Sequence, residues 1–98
     1  MDSKTKTLVN LIDNALKIAE ERLLRIQANV YDLAPLSGLE AVVASLRERR
    51  RLAISGTLKP FEGLNSVGLN RELLEWGEWG TELFKAIESV EDFYKDNF

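Results

Sequence analysis

The chain has no histidine and no cysteine. Those two absences remove disulfides, thiolate metal sites, imidazole ligands and every Ser-His-Asp or Cys-His catalytic arrangement. Proline occurs twice, at Pro35 and Pro60, so helices can run long between them. No run approaches the roughly 20 apolar residues that a membrane-spanning helix needs. The opening stretch, MDSKTKTLVNLIDN, has no apolar core of a secretory signal. The expectation is a soluble, cytoplasmic protein that does not enter a membrane. Phosphate-cradling and metalloprotease signatures are also missing, because Gly63–Gly68 lacks Gly-Lys-Ser/Thr and no HExxH occurs.

What the chain does have is apolar residues at helical spacing. Its 98 residues are 45% hydrophobic, enough for one small domain covering 1–98 with a thin core. Leu8, Ile12, Ala15, Ala19, Leu23, Ile26, Val30 and Leu33 recur every three or four positions. This predicts a helix from Ser3, as N-cap, to about Asp32 or Leu33, stopped by Pro35. Val9, Leu11, Leu16, Ile18 and Leu24 widen its apolar stripe, which suits a helix touching two neighbours.

Ser37-Gly38-Leu39-Glu40 reads as a capping box opening a second helix. Its inward positions are Leu39, Val42, Val43, Leu46 and Ala53, with Arg50 where the stripe should continue. Gly56 is its natural terminator, and the short link from helix one makes the pair antiparallel. Residues 56–69 read as a loop or short helical turns, with a hairpin through Leu52–Ile54 and Thr57–Lys59 as a competing reading. A third helix is expected from Asn70 to about Phe93, carrying Gly77 and Gly80 at about 1 kcal/mol each relative to alanine. Only a close backbone approach or a kink explains glycine there. The fold class is all-α: a long antiparallel helical hairpin plus a third helix, up-down-up.

Charge is unevenly spread. Residues 1–34 are neutral, 35–60 carry +3 and 61–98 carry −6. The basic island holds Arg47, Arg49, Arg50 and Arg51, whose guanidiniums suit phosphate, in nucleic acid or another anion. A pI near 5.0 argues against nucleic acid. Pairing with carboxylates on helix three, or on a partner subunit, is the preferred reading of the island. Glu75, Glu78 and Glu82 share one face of the predicted third helix, beside Trp76-Gly77-Glu78-Trp79-Gly80. Trp76 suits the core, and Trp79 suits an interface anchor.

These features define the expectations. No catalytic residue, cofactor or metal site is assigned. The protein is expected to be a non-enzymatic adaptor, inhibitor or regulatory module. It would meet a basic protein partner through Glu75, Glu78, Trp79 and Glu82, and a second copy of itself through helix one. Anion or nucleic-acid binding through Arg47, Arg49, Arg50 and Arg51 is the alternative. A small enzyme using carboxylates such as Asp13 and Glu20 with arginine is a second one.

Overall fold

In a computed structural model of the chain, residues 2–29, 31, 32, 34–59, 73, 76, 77 and 80–98 are described. Three helices organise them: α1 (Ser3–Gln27), α2 (Leu36–Ser55) and α3 (Glu82–Asn97), with no strand among the described residues. α1 packs against both α2 and α3. This is the all-α three-helix arrangement that the apolar spacing predicts, and Leu52–Ile54 lie in α2 rather than in a hairpin.

The wide stripe of α1 explains its place between the other two. Leu8, Val9, Ile12, Ala15, Leu16 and Ala19 are buried, while Leu11, Ile18, Leu23 and Ile26 pack at the edge of the core. The facing rows are Leu39, Val42, Val43, Leu46 and Ala53 from α2, and Leu83, Ile87 and Val90 from α3. Most of the apolar excess of α1 is therefore sheltered within the chain. Burial of this kind contributes about 25 cal/mol per Å².

Four local expectations are corrected. α1 is capped by Asp2, whose carboxylate accepts from the Thr5 amide at 2.7 Å, rather than by Ser3. It ends at Gln27, about 37 Å from its start, because Asn29 adopts a left-handed conformation with φ 65°. Asparagine tolerates that region better than most residues, so it stops the helix before Pro35 can. Val30 and Leu33 lie outside the described residues.

The Ser37–Glu40 capping box does not form. α2 already begins at Leu36 with Pro35 as its N-cap, which places Ser37 inside the first turn, and no side chain caps it. Its C-terminus is as predicted, with Gly56 left-handed at φ 75°. The span of the predicted loop from 60 to 69 lies outside the described residues.

The third helix is not continuous from Asn70. Gly77 and Gly80 take φ 80° and 77°, and Thr81 starts a new helix by accepting from the Phe84 amide at 3.2 Å. Among the described residues no atom lies within 4 Å of a Cβ built on either glycine, so none of them makes a close backbone approach there. Both are there for their left-handed backbone.

Candidate functional site

The basic cluster of α2 is the candidate site with the most determined geometry. Each of its four arginines reaches a carboxylate of the same chain. Arg47 meets Glu20 at 3.0 Å and Arg50 meets Asp13 at 2.6 Å, both across to α1. Arg51 grips Glu48, three residues before it on α2, through Nε and Nη2. This contact lowers the Glu48 pKa and raises that of Arg51. Arg49 turns the other way and meets Glu91 of α3 at 3.0 Å. The partners thus come from all three helices, and only Glu91 stands on the helix the sequence favoured.

Exposure separates these pairs physically. Arg47–Glu20, Arg50–Asp13 and Arg51–Glu48 face water, where an ion pair is worth about 0–1 kcal/mol. Arg49 and Glu91 are only 6% and 8% exposed. The Arg49 guanidinium also lies 5.4 Å from the centroid of the Tyr94 ring, within cation–π range. Tyr94 stacks on Phe98 at 5.6 Å and donates its hydroxyl hydrogen bond to the Lys59 carbonyl. One polar and aromatic node therefore joins α2, the segment leaving it and the last turns of α3. Among the described residues, Glu91 Oε2 has no hydrogen-bond partner.

A second ion pair organises the α1–α2 turn. Arg22 donates to both Asp32 oxygens, through Nε at 2.9 Å and through Nη2. Asp32 Oδ1 also accepts from the Ala34 amide at 3.0 Å. The Arg22 contact is the main reason the Asp32 pKa falls below its ordinary 3.8. This clamp holds the turn leading into α2 where helix one was expected to continue.

The acidic and aromatic candidates are placed only in part. Glu82 is exposed in the first turn of α3, after the glycine break. Glu75, Glu78 and Trp79 lie outside the described residues. Because Gly77 and Gly80 interrupt the backbone, the three-and-seven spacing of Glu75, Glu78 and Glu82 does not define one helical face. Trp76 is half-buried against the core, and its indole rests on Gly38 of α2. Asp13 and Glu20, the carboxylates considered for catalysis, each face their own arginine. Among the described residues no group of three metal-ligating side chains converges, and no helix is long and apolar enough to cross a membrane.

Large apolar side chains remain in water at both ends of the helical hairpin. Leu24 is 66% exposed and Tyr31 85%, with Leu36 beside the same turn and Ile54 near the far end of α2. Sequence reading placed Leu24 in the widened stripe but did not single out Tyr31 or Ile54, which carry no periodic signal of their own. No family model matches the chain, and neither a curated protein nor a solved structure is significantly similar to it.

Proposed function

We propose that this protein is a non-enzymatic interaction module of the cytoplasm, a helical scaffold that self-associates and holds a basic protein partner. The observation that carries this reading is the contrast between two parts of the surface. The guanidiniums that suit phosphate are matched one for one by carboxylates of the chain, while Leu24, Tyr31, Leu36 and Ile54 stand uncovered. Paired guanidiniums offer less to a phosphate backbone, and exposed large apolar side chains favour another protein surface. The exposed side of α3 adds Glu82, Glu88, Asp92 and Asp96, in keeping with a basic partner.

Equilibrium sedimentation of the full chain across micromolar concentrations tests the self-association, which predicts a concentration-dependent dimer. A monomer throughout would overturn that half of the reading. Binding to an immobilised lysine-rich peptide tests the other half. Changing Glu82, Glu88 and Asp92 together to lysine is expected to abolish it, and unchanged binding would remove that surface from the proposal.

A further inference from the structure

One apolar row runs unbroken in the sequence across a backbone that is broken in the structure. Leu73, Trp76, Gly80, Leu83, Ile87, Val90 and Tyr94 are separated by three and four positions in strict alternation, the spacing of one continuous helix. No proline follows Pro60. Leu73, Leu83, Ile87 and Val90 are fully buried, so residues on both sides of the break face one core. Between them Gly77 and Gly80 take left-handed conformations, and Thr81 restarts the helix. No described residue lies within 4 Å of a Cβ built on either glycine, so straightening this turn breaks no packing by those residues at the glycines themselves.

The two sides of the turn are anchored separately. Ahead of it, Leu73 is buried and the Trp76 indole rests on Gly38 of α2. Behind it, α3 packs on α1 and is tied to α2 by Glu91 on Arg49, while Tyr94 donates to the Lys59 carbonyl. These contacts of α3 are made by residues that follow the turn, so the α3 of a second copy can make them equally well. A short turn holding apart two segments whose spacing suits one helix is an arrangement that invites exchange between copies.

We propose that two copies of this chain exchange α3. The turn at 77–80 opens, residues 73–97 become one helix of roughly 36 Å, and α3 of each copy packs on α1 of the other. Arg49 of each copy then meets Glu91 of the other, and Tyr94 of each donates to the Lys59 carbonyl of the other. Every exchanged contact already exists within one chain, so the fit of the second copy is the fit seen in the closed molecule. The exchange is reciprocal, so it closes on itself as a two-fold dimer. The inference rests on the reading that the protein self-associates, and it names the element that each copy gives.

Two measurements on the full chain test this. Alanine favours the continuous helix and strains the closed turn, so G77A/G80A is expected to raise the dimer association constant more than about tenfold in equilibrium sedimentation. R49E and E91R each set like charges together in the buried site, both in the closed chain and in a dimer with its own kind. Refolded together from urea as an equal mixture, they are expected to regain helicity and to form a heterodimer in excess of both homodimers by native mass spectrometry. Exchange alone gives each α3 an opposite charge on the other copy. A dimer whose association G77A/G80A leaves unchanged, or a mixture with no more heterodimer than chance pairing gives, overturns the exchange while leaving self-association standing. Monomer in every sample, G77A/G80A included, overturns both.

Discussion

The Arg49 guanidinium donates to Glu91 Oε1 at 3.0 Å, forty-two positions away in sequence, in a site that excludes nearly all water. This ion pair ties α2 to α3. Removing one member leaves a buried charge without its counterpart, a change that costs about 3–5 kcal/mol. Arg49→Met and Glu91→Leu are each expected to lower the unfolding free energy by about that amount in urea titrations. The double variant, which removes both charges, is expected to recover most of the loss and is able to exceed the original stability by about 1–4 kcal/mol. Additive losses in the double variant would mean that the two side chains act independently.

Gly38 lies inside α2, where alanine would normally add about 1 kcal/mol of helix stability. Here a Cβ would sit 2.6 Å from Cη2 of the Trp76 ring and 3.0 Å from Cγ of Pro35. G38A is therefore expected to destabilise by about 1–3 kcal/mol. In a W79F background its Trp76 fluorescence is expected to shift to the red as the indole leaves its seat. A stabilised G38A with an unchanged spectrum would contradict the placement of Trp76.

Gly80 offers the opposite case. No described residue crowds it, and its φ of 77° is what resists a side chain. G80A is expected to cost about 1–2 kcal/mol from left-handed strain. A continuous helix through this position would instead gain about 1 kcal/mol from the same substitution. The sign of the change in the urea midpoint decides between them.

Asp32 makes stability depend on acid. Its pKa is lowered in the folded chain, chiefly by Arg22, so folding favours the ionised form. The stabilisation is fully present above its ordinary 3.8 and disappears as the pH falls through the lower folded value. D32N is expected to be less stable than the unchanged chain near neutral pH, and the difference is expected to shrink below that 3.8. A difference that stays constant with pH would separate Asp32 from the clamp.

Much of this fold is legible in the sequence, and the parts that are not have physical reasons. Three-and-four spacing locates α1 and α2 with their buried rows, and of the third helix only the part after the glycine break. The stop at Asn29 is harder to read, because a single left-handed residue interrupts a spacing that Val30 and Leu33 continue in the sequence. Gly77 and Gly80 signal a break, yet only the backbone distinguishes a left-handed turn from a tight packing site. The basic cluster is plain in the sequence, while its partners are not, since they depend on how three helices are rotated. Arg49 falls in step with Leu39, Val42 and Leu46, and Glu91 in step with Ile87 and Tyr94. A charge of each sign on an otherwise apolar row was the available signal for their pairing. Arg50 also interrupts the apolar stripe, and the structure leaves it at the water-facing edge with Asp13.

The arginines of α2 are engaged by the chain's own carboxylates. Fluorescence anisotropy of labelled single- and double-stranded DNA, titrated with protein at about 50 mM salt, tests this most directly, because phosphate contacts are strongest at low salt. No saturable binding is expected at micromolar protein, with the same flat response after Arg47, Arg50 and Arg51 are changed together to alanine. Tight binding that collapses with added salt and is lost in the triple variant would contradict it.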